Sequence, residues 1–468
     1  MLHTSKTYHI KTFGCQINVS DSERIATFLE TQGFSPSNEI ETANLIIFNT
    51  CGVKQTAENR AYSLINNLRK TERTANRKPR IIIMTGCLAN RADVQKRMQT
   101  KVDLFCEIKN FPEAVAGILY NVSCINLKIQ NTSHKIHPTK NPYNKEDLDY
   151  LSIQPKYRNS FEAYVPIMTG CNNFCAYCVV PNARGREVSR PAAEIIAEVK
   201  DLVARGYKNI ILLGQNVNSY RGAWSVERGA LNAKAKEKIV TFSELLKKIN
   251  AIPGKFWIQF VSSHPKDMSD ELIETMTKCQ KVCENVHLPV QAGDDEILRR
   301  MNRNYNQQHY LGLIEKINQA FRENKPETLF SISSDIIVGF PGETRKQFLQ
   351  SASLMEKSKF DMVFFGQFSP RPETAAWKMK DNVSQKEKAR REKYLNEILK
   401  KTSLENNQKY VGKIFEVLID QQKNAAYFGK TRTLKNVKIA TSKKNLIGKI
   451  VKVSITKANV WNLEGELC

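Results

Sequence analysis

The stretch Thr169–Pro181, TGCNNFCAYCVVP, places Cys171, Cys175 and Cys178 within eight residues, directly after the apolar run AYVPIM. An apolar run of this length is typical of a buried strand. Structural zinc normally has four protein ligands, often as paired C-x2-C, and the nearest later histidine is His264. Three thiolates without a fourth ligand favour an iron–sulfur cubane that keeps one iron open, with structural zinc as the alternative.

Candidate strands recur downstream of this loop, and helix-like stretches such as 191–206 and 306–324 separate most of them. Counting the run before the loop, the candidates are AYVPIMTG, NIILLGQN, KFWIQFVSS, NVHLPVQ, FSISSDIIVGF and DMVFFGQFS. Six β/α repeats predict a partial, TIM-like (β/α)6 barrel, whose working residues belong at the carboxyl ends of the strands. Polar residues gather at these ends, namely Gln215, Asn216, Ser263, His264, Gln291, Asp335 and 369–371.

The N-terminal region has three β-rich runs, YHIKTFGC, ANLIIFNTC and RIIIMTGC, separated by helical patterns, which predicts a doubly wound parallel α/β domain. Each run stops at a cysteine: Cys15, Cys51 and Cys87. The ligand crevice of such a sheet lies outside the carboxyl ends of its strands, so we expect these cysteines to converge. A buried small residue at each strand end is the alternative.

Changes in composition divide the chain. Residues 123–156 include the polar stretch NTSHKIHPTKNPYNKEDLDY and are typical of a linker. Short β-rich runs after Lys401, with glycines between them, predict a small antiparallel β-barrel that carries 12 Lys and Arg against 5 Asp and Glu, a platform suited to RNA. The predicted domains are 5–122, 157–400 and 403–468.

The whole chain is basic, with 71 Lys and Arg against 47 Asp and Glu, a formal charge of +24. Such an excess favours a polyanionic partner, above all nucleic acid, although a solvated basic surface is the alternative. We find no signal-peptide h-region and no run of 18 apolar residues, so we expect a cytoplasmic protein without a membrane partner. Its 11 cysteines are then expected to be reduced, with metal binding preferred over disulfides.

The cysteine loop and its neighbours resemble the radical S-adenosylmethionine methylthiotransferases, most closely the tRNA 2-methylthio-N6-isopentenyladenosine synthases. The motifs that carry the resemblance are, in order, CVVPNARGREVSRP, LLGQNVNSY, SSHPKD, HLPVQAGDDEILRRMNR, SDIIVGFPGET and FSPRPETAA. The resemblance covers nearly the whole chain, because this family also has an N-terminal three-cysteine domain and a C-terminal basic β-domain called TRAM. Two departures occur: Gly52 follows Cys51 where serine is common, and QAGDD stands where QSGS is usual.

The resemblance implies two [4Fe-4S] clusters. Cys171, Cys175 and Cys178 would hold one, which binds S-adenosylmethionine and cleaves it to a 5′-deoxyadenosyl radical able to attack an aromatic C–H bond. Cys15, Cys51 and Cys87 would hold the other, which carries the sulfur. The expected product is the 2-methylthio derivative of N6-isopentenyladenosine at position 37 of tRNA, beside the anticodon.

The resemblance also implies further site residues and partners. Gln215, Asn216, Gln291 and Asp335 would line the S-adenosylmethionine pocket. Three arginines after the loop, Arg184, Arg186 and Arg190, are candidates to contact the cofactor carboxylate or tRNA phosphates, with a solvated basic turn as the alternative. The implied partners are the tRNA anticodon stem-loop, an electron donor such as flavodoxin or ferredoxin and a sulfur donor, and we expect a monomer.

Other cysteines and glycines receive no chemical role. Cys279 and Cys283 are four residues apart, and Cys106, Cys124 and Cys468 lack ligand spacing, so we do not expect a third metal site. Gly339, Pro341 and Gly342, in the GFPGE turn, shape a sharp strand exit and are interpreted as structural. The stretch 221–240 is longer than a tight β/α loop requires, and contact with RNA or a tolerated surface insertion would explain it.

Three alternative functions stay open. One is methylthiolation of threonylcarbamoyladenosine in tRNA. Another is modification of an aspartate of a ribosomal protein, which the motif wording disfavours. The third is a non-catalytic RNA-binding protein with structural metal.

Overall fold

The computed structural model describes residues 6–53, 55–75, 80–116, 150–225, 238–424 and 426–468. By internal contacts the chain forms two units. The first contains residues 1–158 together with 178–186, and the second contains residues 159–177 and 187–468. Most of the predicted linker and the middle of the 221–240 stretch lie outside the described residues.

The first unit contains a five-stranded parallel sheet with strand order β2-β1-β3-β4-β5. The strands are β1 Thr7–Thr12, β2 Ser35–Pro36, β3 Leu45–Thr50, β4 Ile81–Gly86 and β5 Leu104–Phe105. The predicted parallel sheet is confirmed, and two short strands extend its edges. The helices of this unit include Gln16–Thr31, Gln55–Thr74, Ala92–Met98 and, from the segment after the loop, Val180–Arg184.

Both faces of this sheet are covered. Successive residues of a strand point to opposite faces, and in β3 Ile47 packs in a core with Phe28, whereas its neighbour Ile46 packs in a core with Tyr62. Phe28 belongs to the first helix and Tyr62 to the second. Apolar residues on both faces explain why β3 is buried at all six positions, as expected of a doubly wound fold.

The second unit contains the six predicted β/α strands, arranged as two three-stranded parallel sheets of order β12-β9-β6 and β13-β14-β15. The strands are β6 Glu162–Pro166, β9 Asn209–Leu213, β12 Trp257–Phe260, β13 Asn285–His287, β14 Ser331–Val338 and β15 Met362–Gln367. A parallel bridge between Ile258 and Val282 connects the sheets, so the barrel is partial, as predicted. Two small antiparallel pairs flank them: β7 Met168–Thr169 with β8 Val188–Ser189, and β10 Arg221–Ala223 with β11 Ile239–Thr241.

Local sequence signals begin most helices of this unit. Their bounds are Ala192–Ala204, Phe242–Asn250, Asp270–Lys278, Asp295–Arg300, Gln307–Asn324, Arg345–Ser358 and Gln385–Gln408. Six begin after a side chain that accepts a backbone N–H bond: Thr241, Ser269, Asp294, Asn306, Thr344 and Ser384. Such caps satisfy backbone donors that the first helical turn leaves unpaired.

The C-terminal region is a closed five-stranded barrel of order β16-β17-β18-β20-β19. Its strands are β16 Ile414–Lys423, β17 Ala426–Thr431, β18 Asn436–Ala440, β19 Ile450–Ala458 and β20 Leu463–Leu467. The prediction of a purely antiparallel barrel needs one correction, because β18 and β20 are parallel. A closed ring with an odd number of strands cannot alternate direction throughout, so one parallel neighbour pair is unavoidable.

This C-terminal barrel docks on the amino ends of the core strands. Arg432 donates to Glu284 at 2.7 Å, just before β13, and Lys435 donates to Asp361 at 2.6 Å, just before β15. The Ser331 hydroxyl, at the start of β14, donates to the Thr433 carbonyl at 2.7 Å. Buried charges require such partners, so the contact has a defined geometry.

No helix in the described part of the chain is long and apolar enough to cross a membrane.

Candidate functional site

The sheet of the first unit brings its three strand-end cysteines, Cys15, Cys51 and Cys87, to one edge. They follow β1, β3 and β4, which are adjacent in the sheet. Gly14 has φ +118°, and a Cβ there would lie 2.5 Å from the Cys51 Cβ. A Cβ on Gly52 would lie 3.4 Å from the Cys87 Cβ. Glycine at position 14 therefore permits the close approach of the segments that carry Cys15 and Cys51, and the Cys87 segment lies in ordinary contact with position 52.

A buried cation accompanies these cysteines. Cys15 is exposed, but the surrounding protein partly desolvates its thiol and raises the pKa of that thiol; the Arg184 charge opposes this rise and the neighbouring Cys87 adds to it. Arg184 Nη2 bonds to Asp21 at 2.7 Å, and both side chains are buried. Its Nη1 has no hydrogen-bond partner among the described residues. Three thiols beside a buried N–H donor fit an anionic iron–sulfur group, whose binding displaces the thiol protons.

The arginines after the loop need a correction. Arg184 is bound to Asp21, and Arg190 is buried with bonds to the Pro166 carbonyl at 2.7 Å and to Glu198 at 2.8 Å. Neither is available to RNA phosphates, because each buried charge is compensated inside the protein. Arg186 is the exposed member of the three. The sequence pattern did not distinguish buried ion pairs from a basic surface.

The cysteine loop leaves the core after β7, and the pairing of β7 with β8 closes its base. Cys171 is buried, and burial raises the pKa of its thiol. Cys171 and Cys175 belong to the second unit, and Cys178 begins the segment grouped with the first unit. The Val180 N–H donates to the Cys178 sulfur at 3.4 Å.

Sequence reasoning missed Arg303, which lies at the end of the motif HLPVQAGDDEILRRMNR. Its side chain is buried, and Nη1 lies 3.5 Å from the Cys175 sulfur. One signal could have indicated it: Arg303 belongs to the same motif as Gln291, which was predicted to lie at the mouth of the barrel. A contact between residues 128 positions apart cannot be read from spacing.

No group of three or more His, Cys, Asp or Glu side chains among the described residues is arranged around a single metal-ion position. A cubane makes a different demand, because each of its thiolates ligates a separate iron and the sulfurs are correspondingly further apart. The donor set at each cysteine group is thiol only, which suits iron–sulfur chemistry.

Four buried polar atoms at the carboxyl ends of β9 and β12 have no hydrogen-bond partner within the described part of the chain: Gln215 Oε1, Asn216 Oδ1, Ser263 Oγ and His264 Nε2. His264 Nδ1 accepts from the Lys266 N–H at 3.2 Å, so the ring proton belongs on Nε2. Burial, aided by Arg303 and Lys266, lowers the pKa of His264 to about 2 and keeps the ring neutral. Buried unpaired polar atoms indicate a polar ligand, which fits the amino-acid or nucleoside groups of S-adenosylmethionine.

The second sheet brings Gln291 and Asp335 together. The Gln291 N–H donates to the Asp335 carbonyl at 2.8 Å, and Gln291 has φ +72°, in the left-handed region. The Asp335 side chain is 37% exposed, and an oxygen lies 3.7 Å from His287 Nε2. An accessible carboxylate beside a strained residue is typical of a binding site. The structure thus yields two pairs of candidate residues on two sheets, and their cofactor contacts stay a prediction.

A polar cavity of about 630 Å³ lies beside the cysteine loop, within the second unit. Its lining includes Asn172, Asn173, Glu187, Asn218, Lys266 and Asp267. Burial raises the pKa of Glu187, with Asp267 adding to the rise, although a bond from Ser219 opposes it. The cavity therefore offers amides and carboxyl groups to a polar ligand.

The remaining cysteines and the GFPGE turn are explained by packing and backbone geometry. Cys279 and Cys283 are buried, and Cys283 packs with Trp257 and Leu418 where the C-terminal barrel meets the core. Cys106 is buried and Cys468 is exposed, while Cys124 lies outside the described residues. Gly339 has φ +71°, and a Cβ there would meet the Lys388 side chain at 2.4 Å. Pro341 and Gly342 complete that turn, and Gly342 has φ +77°.

Comparison with known proteins places this site in a family. Residues 165–355 match the radical SAM superfamily, residues 7–107 match an uncharacterized protein family, UPF0004, and residues 408–468 match the TRAM domain. The tRNA-2-methylthio-N(6)-dimethylallyladenosine synthase of Carboxydothermus hydrogenoformans is 40% identical to this chain, and the alignment covers 99% of this chain and 99% of that enzyme. The enzyme of the same name from Thermoanaerobacter sp. strain X514 is 39% identical, covering 98% of this chain and 92% of the relative.

This chain belongs to the tRNA-2-methylthio-N(6)-dimethylallyladenosine synthase family. It is therefore a radical SAM enzyme, and its cofactors are [4Fe-4S] clusters and S-adenosylmethionine. These relatives favour the main interpretation and give no support to the threonylcarbamoyladenosine or non-catalytic alternatives.

Solved structures support the fold alone. The radical S-adenosylmethionine methyltransferase TsrM from Kitasatospora setae, with tryptophan and a SAM analogue bound, has a TM-score of 0.52 at 12% identity and covers 90% of this chain and 79% of that chain. The same enzyme with cobalamin and a [4Fe-4S] cluster bound has a TM-score of 0.51 at 13% identity. That match covers 80% of this chain and 77% of that chain. Identities this low carry no residue roles.

Proposed function

We propose that this chain converts N6-dimethylallyladenosine, also called N6-isopentenyladenosine, at position 37 of tRNA to its 2-methylthio derivative. The full-length similarity to enzymes named for this product carries the proposal. A reduced cluster with S-adenosylmethionine would supply a radical able to remove hydrogen from an aromatic C–H bond, which acid–base groups cannot do.

The two cysteine groups take different roles in this proposal. Cys171, Cys175 and Cys178, the loop cysteines, hold the cluster that binds S-adenosylmethionine, and the strand-end cysteines hold the cluster that carries sulfur. The close approach of Cys15, Cys51 and Cys87 at one sheet edge supports the second assignment. Thiol-only donor sets support both.

The polar residues at the barrel mouth bind and orient the cofactor. Gln215 and Asn216 offer buried unpaired oxygens to its amino or hydroxyl groups, and Asp335 offers an accessible carboxylate. Gln291 positions Asp335 through the backbone bond between them. His264 presents a fixed N–H donor, because its pKa of about 2 leaves the ring neutral.

The tRNA anticodon arm contacts both ends of the core in this proposal. Its target base enters at the carboxyl ends of the strands, while the basic C-terminal barrel is docked at their amino ends. These ends are about 25 Å apart, since β14 has eight residues at about 3.3 Å each.

In this proposal the enzyme is divided into three domains and receives its electron and its sulfur from other molecules. We assign the domains to 5–122, 157–400 and 403–468, joined by a linker at 123–156, and the protein acts as a cytoplasmic monomer. A small redox protein, flavodoxin or ferredoxin, delivers the electron, and a separate donor restores the sulfur.

The test is a reaction of anaerobically reconstituted protein with tRNA that contains N6-dimethylallyladenosine, in the presence of S-adenosylmethionine as radical and methyl source, dithionite as reductant and sulfide as sulfur source. Nucleoside mass spectrometry is expected to find one added methylthio group on that base. The control substrate is tRNA that contains threonylcarbamoyladenosine instead. Modification of the control with no change in the dimethylallyl substrate would contradict the proposed specificity.

The role of the C-terminal barrel is tested by tRNA affinity. The variant Lys443→Glu/Lys444→Glu changes two exposed lysines of the barrel, and Lys200→Glu/Lys247→Glu changes two exposed lysines of core helices. If the barrel contacts RNA, the Lys443→Glu/Lys444→Glu variant loses two phosphate contacts. The slope of log affinity against log salt concentration then becomes shallower by about 1.5 in this variant and stays unchanged in the control. Equal slopes for both variants would remove the barrel from the RNA interface.

A further inference from the structure

The turn Met301–Arg303 holds the cysteine loop from outside. The Ala176 N–H donates to the Met301 carbonyl at 2.9 Å. The Asn302 side chain donates to the Asn173 carbonyl at 3.2 Å and to the Phe174 carbonyl at 2.9 Å. Asn302 adopts φ +57°, which asparagine tolerates better than most residues. Three backbone groups of the loop are therefore fixed by one turn.

Arg303 completes this contact with a buried charge. Nη2 donates to the Pro289 carbonyl at 2.7 Å, and Nε donates to the Tyr305 hydroxyl at 2.8 Å. Nη1 lies 3.5 Å from the Cys175 sulfur. The planar guanidinium is thus anchored on two sides and presents its third side to the thiol, and arginine stays protonated under all relevant conditions.

We propose that Arg303 is a positioning residue that donates an N–H···S hydrogen bond to Cys175 in the cluster-loaded protein and raises the reduction potential of that cluster. This inference rests on the proposed assignment of the loop cysteines as ligands. Reduction adds one negative charge to a cluster whose three thiolate ligands are already negative. A fixed cation and an N–H donor at a ligand sulfur stabilise the reduced form more than the oxidised form.

The charge separates this role from a purely structural one. A neutral amide at position 303 would still bond to a carbonyl or hydroxyl, but it would place no positive charge beside Cys175. Outer-shell partners of metal ligands commonly tune the metal in this way. A scaffold role predicts altered stability with an unchanged potential, whereas the proposed role predicts an altered potential in protein with full iron content.

The experiment measures the midpoint potential of the loop cluster by EPR-monitored titration. The full-length chain carries Cys15→Ala, Cys51→Ala and Cys87→Ala, so that the loop cluster alone gives a signal. In Arg303→Gln we expect the equilibrium constant for reduction to fall at least tenfold, ~59 mV for one electron. Arg303→Lys keeps the charge and is expected to show less than half of that shift.

The matched control is Arg391→Gln, which removes another buried arginine, bonded to Glu343 at 2.7 Å. We expect its potential to equal that of the parent. An unchanged potential in Arg303→Gln with four irons per chain, about the content of one cubane, would overturn the role of Arg303. If the parent binds no iron, the ligand assignment fails and the role of Arg303 fails with it.

A second measurement covers the case in which Arg303→Gln does not take up iron. The parent chain is prepared with guanidino-15N-arginine, and hyperfine spectroscopy of the reduced cluster is expected to detect a 15N coupling that disappears in Arg303→Lys labelled in the same way. Absence of any 15N coupling in the parent would equally overturn the proposal.

Discussion

The two cysteine groups are built in opposite ways. The strand-end cysteines are 36 residues apart along the chain and meet because three parallel strands are adjacent. The loop cysteines lie within eight residues, and an outside turn holds that loop in place. The first group therefore depends on the sheet as a whole, and the second depends on local chain geometry and a few contacts.

Each group also has a buried arginine, but the electrostatics differ. Arg184 is paired with the carboxylate of Asp21, so its charge is largely compensated. Arg303 bonds to a carbonyl, a hydroxyl and a thiol, so its charge acts directly on Cys175. Arg184 therefore mainly maintains the protein around its cysteines, whereas Arg303 acts on the Cys175 sulfur itself.

The largest expected effect separates the two groups by chemistry. Cys175→Ala should reduce 5′-deoxyadenosine formation to background, because the proposed site of cofactor cleavage is lost. Cys51→Ala should retain cleavage and abolish methylthiolation. Each variant should bind about four irons instead of about eight. Product analysis by mass spectrometry and iron content check both, and equal loss of cleavage in the two variants would break the division of labour.

The next effect tests the role of Arg184. Arg184→Gln leaves the Asp21 carboxylate buried without its cation, which is expected to destabilise the first unit by ~3–5 kcal/mol. Arg303→Gln leaves no such carboxylate and should destabilise less. Urea unfolding of metal-free protein measures both effects. Addition of Asp21→Asn to Arg184→Gln should recover much of the loss, and failure to recover would exclude the ion pair as the cause.

A smaller effect is expected at Gly14, where φ is +118° and a Cβ would meet the Cys51 Cβ at 2.5 Å. Gly14→Ala should cost ~1–3 kcal/mol and impair iron binding by the strand-end cysteines. Gly33→Ala is the matched control, because Gly33 has φ +83° with nothing within 4 Å of the added Cβ. Similar iron content in the two variants would show that close packing at Gly14 is not needed.

The smallest effect is expected at a cysteine outside both groups. Cys279→Ala should leave iron content, 5′-deoxyadenosine formation and methylthiolation unchanged, since the Cys279 thiol is buried and burial raises its pKa. Its unfolding free energy should change by no more than ~1 kcal/mol. Loss of iron in this variant would reveal a ligand beyond the six cysteines proposed.

Much of the fold was predictable because its signals are local. Three of the five N-terminal strands and all six β/α strands of the core follow from short apolar runs, whereas the two-residue edge strands β2 and β5 were not predicted. The helices that begin at residues 192 and 307 match the predicted 191–206 and 306–324. The single parallel pairing in the C-terminal barrel was not predictable from strand patterns. It follows from closure of an odd number of strands, which is a property of the whole barrel.

The candidate site was predictable in part. Strand ends identified the strand-end cysteines and the residues at the barrel mouth, because parallel strands share an edge. The burial of Arg184 and Arg190 was not predictable, since a charged residue in a polar motif is usually exposed. Arg303 was missed because its contact with Cys175 joins distant parts of the chain.

Residue identity and short-range periodicity are enough to define the donor atoms, their spacing in the loop, the order of the main strands and helices and the basic character of the chain. Which charges are compensated, which polar atoms are buried without partners among the described residues and where the C-terminal barrel docks become known from the folded chain alone. Burial and pairing depend on residues that are far apart in sequence, and they set the strength of every charge in the site.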